Sequence, residues 1–85
     1  MPSTTVTVGS AVGLHARPAG IVAEAVNESG HEVTLSFGGE TVDAGSALMI
    51  MTLGAENGAQ VIVESADQAT VDAIAALVAK DLDAE

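Results

Sequence analysis

Glu32-Val33-Thr34-Leu35-Ser36-Phe37-Gly38-Gly39-Glu40-Thr41-Val42-Asp43 is the stretch on which the reading of the fold turns. Glu32 to Phe37 alternates polar and apolar side chains, as a half-buried strand does. Gly38-Gly39 accepts the two positive φ angles of a two-residue hairpin turn, and Glu40 to Asp43 returns as a short second strand. An antiparallel pair is therefore the nucleus of the sheet. Downstream, Ser46 is placed to cap a short apolar helix, Ala47 to Leu53, stopped at Gly54. Ala59 to Glu64 reads as a further strand. Asp67 then caps a last helix, on which Val71, Ile74, Ala75, Val78 and Leu82 form one apolar stripe. Upstream, Ala19, Val22, Ala23 and Val26 recur at helical spacing between Ala16 and Glu28. Pro18 suits that helix's first turn and Ser29-Gly30 its end. Thr5 to Val8 alternates as a first strand, and Gly9 to Gly13 is a loop. The order β-α-β-β-α-β-α predicts an α+β fold, one four-stranded antiparallel sheet with three helices on a single face.

Composition narrows the function. The 85 residues leave room for one domain, expected over 1–85. Alanine and valine supply 27 of the apolar residues and Phe37 is the one aromatic, so the core must be assembled from small side chains. Twelve acids stand against Arg17 and Lys80, a net charge of −10. That balance argues against nucleic acid and against anionic membranes, which both need clustered Lys and Arg. Without cysteine there are no disulfides, thiolate metal sites or cysteine nucleophiles. No apolar run approaches a membrane span, and the first residues lack the basic start and apolar stretch of a signal peptide, so a cytoplasmic protein is expected. The acid excess also predicts a protein whose stability rises as salt screens its self-repulsion.

The segment Gly13-Leu14-His15-Ala16-Arg17-Pro18-Ala19 stands apart. Pro18 fixes the helix start near Ala16 and so puts His15 at or near the N-cap. The N–H groups of Ala16 and Arg17 then lack intrahelical partners at the positive end of the dipole, an arrangement that suits an anion on the imidazole. Arg17, the chain's one arginine, adds a guanidinium suited to phosphate oxygens. A neutral imidazole there keeps a lone pair for attack on phosphorus. The same residues also fit a histidine that only caps the helix beside a solvated arginine.

These residues resemble the active-site signature of HPr, the histidine-containing phosphocarrier family of the bacterial sugar phosphotransferase system. Gly45-Ser46-Ala47-Leu48-Met49-Ile50-Met51-Thr52-Leu53-Gly54 is similar to that family's second signature, and the likeness in length and element order covers essentially the whole chain. The resemblance implies an open-faced β-sandwich. It implies that Enzyme I, phosphorylated by phosphoenolpyruvate, passes a phosphoryl group to Nδ1 of His15, and that the carrier hands it to the IIA unit of a sugar permease. Arg17 would steady the phosphoryl oxygens, with the backbone of Ala16 and Arg17 as further donors. Such a protein is a relay, not an enzyme that turns over a small molecule alone; it needs no cofactor or metal and is expected to be a monomer that does not insert into membranes. The family's regulatory serine maps onto Ser46, which an HPr kinase would modify; Ser46 equally suits a plain helix cap. Ala47, Leu48 and Met51 are expected to form an apolar docking patch near His15. The chain departs from the family pattern at Ala16, where a hydroxyl residue is also common, and at Gly45 and Met49, where relatives often carry a base. Those last two changes remove positive charge from the docking face. A regulatory or nitrogen-branch relative, acting on other enzymes or transcription factors, is the alternative. His31 has no acid or histidine at metal spacing and reads as an exposed turn residue.

Overall fold

The structure, a computed structural model, describes residues 2–80. Four strands, β1 (Ser3–Thr7), β2 (Val33–Phe37), β3 (Glu40–Asp43) and β4 (Gln60–Ser65), form one antiparallel sheet in the order β1-β4-β2-β3. Three helices, α1 (Ala16–Ser29), α2 (Ala47–Thr52) and α3 (Gln68–Ala79), complete the order β-α-β-β-α-β-α. The β2–β3 hairpin pairs Phe37 with Glu40 across a two-residue turn, with Gly38 at φ 61° and Gly39 at φ 87°. Both angles fall in the left-handed region that the tight turn demands.

Pairing decides which side chains go inside. Val6 opposes Val61, while Leu35 opposes both Val63 and Val42. Val61, Val63, Leu35, Val42 and Val33 are buried, and the helices bring Ala19, Val22, Val26, Ile50, Val71, Ile74 and Val78 to the same core. The alternate residues Thr5, Thr7, Gln60, Ile62, Ser36 and Thr41 lie on the other face, which is open to solvent at Thr5, Thr7, Gln60, Ile62 and Thr41. Ser36 and Thr41 share a hydroxyl hydrogen bond there at 2.8 Å. The sheet is thus a two-layer sandwich with one bare side, and most of its core positions are small, as the composition requires.

Boundaries differ from the sequence reading where polar residues take part in the sheet. β1 begins at Ser3 and ends at Thr7, two residues earlier than expected at its start, because Ser3 and Thr4 pair with Glu64 and Val63. β4 runs on to Ser65, whose N–H donates to the Pro2 carbonyl at 3.2 Å. α2 closes at Thr52, with Leu53 as a buried C-cap. The apolar stripe of α3 is buried at Val71, Ile74, Ala75 and Val78; Leu82, its expected last member, lies outside the described residues.

Candidate functional site

α1 begins where the chain leaves the loop after β1. His15 is its N-cap, with extended backbone at φ −85°, ψ −166°. The His15 carbonyl accepts the first helical bond, from Ala19 N–H at 2.8 Å. Pro18 has no N–H, so the two donors left over at this end are those of Ala16 and Arg17, and no side chain caps them. His15, Ala16 and Arg17 are exposed, while Leu14, Pro18 and Ala19 anchor the turn from beneath. The charge order of α1 runs against its dipole. Arg17 sits in the first turn and Glu28 near the end, each placement mildly unfavourable to the helix. A cation kept at a positive helix end is a local conflict of the kind found where function outweighs stability.

Two loops wall the site. Leu14 N–H donates to the Ala55 carbonyl at 2.9 Å, and Asn57 Nδ2 reaches the Ser10 carbonyl at 3.2 Å. Gly13, at φ 76°, lies so close to the second loop that a Cβ there would meet Glu56 Cα at 2.6 Å and the Ala55 carbonyl oxygen at 2.7 Å. The loops thereby close an open groove of about 700 Å³, lined by Ala11, Val12, His15, Ala16, Arg17, Pro18, Glu56 and Asn57. Glu56 and Asn57 were not legible as site residues. They stand some forty positions from His15 in the chain, and their one sequence signal, a polar pair before Gly58, reads as an ordinary turn.

The other expected residues are not among those that line the groove. Ser46 is the N-cap of α2, its Oγ accepting from Met49 N–H at 3.3 Å, so the capping role is satisfied in the structure. Its neighbour Gly45 gives its carbonyl to Asn27 Nδ2 at 3.0 Å, which ties this end of α2 to the far half of α1. Asn27 lies about 18 Å along α1 from His15 at the rise of an α-helix. Ser46 is therefore not part of the groove. Leu48 is 68% exposed, Met49 41% and Met51 37%, while Ala47 is half-buried against the core. Ile50 is the one residue of α2 that is buried. His31 is exposed, and its Nε2 stands 3.8 Å from Asp67 Oδ2, an acid the sequence spacing did not reveal. Asp67 caps α3, accepting from Thr70 N–H at 3.0 Å and Thr70 Oγ1 at 2.7 Å. The Thr70 hydroxyl first, then its N–H, hold the Asp67 carboxyl below the usual carboxylate range, with His31 contributing least. Among the described residues no cluster of His, Asp or Glu could hold a metal ion, and no helix is long and apolar enough to cross a membrane.

An open-faced α+β sandwich carrying a histidine and an arginine at the exposed start of its first helix has the form of a small phosphoryl-carrier domain. The comparisons agree. The family model for the "PTS HPr component phosphorylation site" matches residues 2–80. The phosphocarrier protein HPr of Streptomyces coelicolor is 38% identical over 87 residues, which span 98% of this chain and 94% of that protein. The crystal structure of HPr from Bacillus anthracis superposes with a TM-score of 0.86 at 28% identity, over 91% of this chain and 95% of that one. HPr-C-His from Thermoanaerobacter tengcongensis gives a TM-score of 0.90 over 100% and 99% of the two chains; at 24% identity it speaks for the fold alone. The chain belongs to the HPr phosphocarrier family of the phosphotransferase system.

Proposed function

We propose that this chain takes a phosphoryl group from phospho-Enzyme I onto Nδ1 of His15 and passes it to the IIA unit of a sugar permease, in the cytoplasm. The observation that carries the reading is the uncapped start of α1: an exposed imidazole beside two free N–H donors and a guanidinium. In the first transfer the Nδ1 lone pair attacks phosphorus, and the bond from phosphorus to the donor breaks with its electron pair leaving on the donor. Nε2 keeps its hydrogen through the step. In the second transfer a nucleophile of the acceptor attacks phosphorus, and the pair of the P–Nδ1 bond returns to the ring. The Ala16 and Arg17 N–H groups and the Arg17 guanidinium take the charge of the phosphoryl oxygens in both directions. The chain is then a stoichiometric relay, and the exposed apolar side chains of α2, with Ala47 at their edge, are the surface on which protein partners dock. Ser46 phosphorylation by an HPr kinase would place a dianion at the start of α2, where its oxygens can accept from the Met49 N–H in place of the present cap bond, beside that surface.

Incubation with Enzyme I and phosphoenolpyruvate, followed by intact mass, tests the reading. One acid-labile phosphoryl group is expected on the parent and none on His15→Ala, with the melting temperature of the variant close to the parent's. A label that survives in His15→Ala, or that maps to His31, overturns it.

A further inference from the structure

Glu56 is the one charged residue of the groove that the transfer chemistry leaves unused. Its place in the second loop is set by contacts between the two loops. Leu14 is bonded to Ala55, Asn57 is bonded to Ser10, and Gly13 is packed against Glu56 Cα. Glu56 thus lines the same open groove as His15 and Arg17. Among the described residues the recorded ion pair is His31 with Asp67, so neither Glu56 nor Arg17 is taken up by another charge. Most acids of this chain can be read as a solvated surface; this one borders the place where a phosphoryl dianion has to be built.

We propose that Glu56 tunes the transfer potential of His15. In the resting carrier its negative charge shares the groove with Arg17 without an ion pair between them, and attracts the guanidinium at longer range. Once His15 bears a phosphoryl group, Glu56 repels that group and competes with it for the guanidinium. Both effects raise the phosphorylated form relative to the resting one, so the group is accepted less tightly and released more readily. The inference rests on the carrier reading above and gives Glu56 a role through charge alone, without contact to the reacting atoms. Because the groove is open, salt screens the effect.

The test is a competition for one phosphoryl group. Parent protein labelled with ¹⁵N and unlabelled Glu56→Gln are mixed in equal amounts with catalytic Enzyme I and limiting phosphoenolpyruvate. The partition at equilibrium is read by intact mass, where rates and docking cancel. At low salt the Gln variant should hold about three- to fivefold more phosphoryl group than the parent, the range of an exposed charge interaction. Near 1 M potassium chloride, where the Debye length is about 3 Å, the preference should shrink toward unity. Glu56→Asp, which keeps the charge, should partition close to the parent. An even partition of Glu56→Gln at low salt, a preference that persists undiminished in high salt, or one that Glu56→Asp shares would each overturn the role of Glu56 while leaving the carrier reading standing. A parent that takes no phosphoryl group at all would bring both down.

Discussion

The starts of α1 and α3 are built on opposite terms. At α3, Asp67 accepts two hydrogen bonds from Thr70 and places a negative charge where the helix dipole is positive. At α1 the N-cap His15 makes no side-chain cap bond, two backbone donors stay open, and the charge within the first turn is the cation Arg17. One end is finished for stability. The other is left unfinished by every rule of capping, and that is the end that can receive an anion from outside. α2 stands between them, capped by Ser46 through a longer bond of 3.3 Å. The contrast teaches that a helix terminus is available for chemistry only where the chain has declined to satisfy it.

Arg17→Ala breaks the contrast most severely. If the α1 terminus works by its electrostatics, transfer from Enzyme I should slow by about 10²–10³-fold, the loss typical of one positioned charge stabiliser. Arg17→Lys should recover only part, because lysine lacks the planar fork. The check is a single-turnover transfer assay, and an unchanged rate in Arg17→Ala would leave the backbone donors as sufficient. The melting temperature should not fall, since the cation sits at the wrong end of the dipole for stability.

The capped ends should respond in stability instead. Asp67→Ala should lower the melting temperature at neutral pH by roughly 4–8 °C, the response of a domain this size to a lost cap. Asp67→Asn, which can still accept from Thr70, should lose less. Because Asp67 titrates below its ordinary value of 3.8 in the folded protein, its contribution is present above about pH 4 and is lost as pH falls through the lowered folded value. The gap between parent and Asp67→Asn should therefore close in acid, as melting curves across that range would register. Ser46→Ala should cost about 1 kcal/mol or less in a urea titration, in keeping with its longer bond. A stability loss in Ser46→Ala larger than in Asp67→Ala would contradict the ranking by cap geometry.

The smallest effect concerns charge spread over both regions. With a net charge of −10, screening should raise the melting temperature between about 0.15 and 1 M potassium chloride, as the Debye length falls from about 8 to about 3 Å. A flat or falling curve would show that the twelve acids are already far enough apart to be indifferent to one another.

Most of the architecture was legible because it is written in local pattern. The Gly38-Gly39 turn, the alternation on either side of it, Pro18 in the first turn of α1 and Asp67 before α3 each state a conformation within a few residues. The strand ends were less legible. Ser3 and Thr4 carry no apolar signal, and they join the sheet because Glu64 and Val63 offer them backbone partners. His15 and Arg17 could be singled out for the same reason as the turn: two residues apart, they share one helix start. His31 shows the limit of that approach, since its acid, Asp67, comes from the start of another helix.

The sequence by itself determined the order of the elements, the parity of each strand and the placement of His15 and Arg17 at the start of α1, because hydrophobic period, turn residues and helix capping act over spans of one to four residues. Only the tertiary structure decided what surrounds that histidine. Leu14 meets Ala55 and Gly13 meets Glu56 because β4 pairs beside β1 and draws the loop before it against the loop after β1. That contact joins residues more than forty positions apart, and no local pattern encodes it; it follows from the sheet's pairing and the packing of its small-residue core.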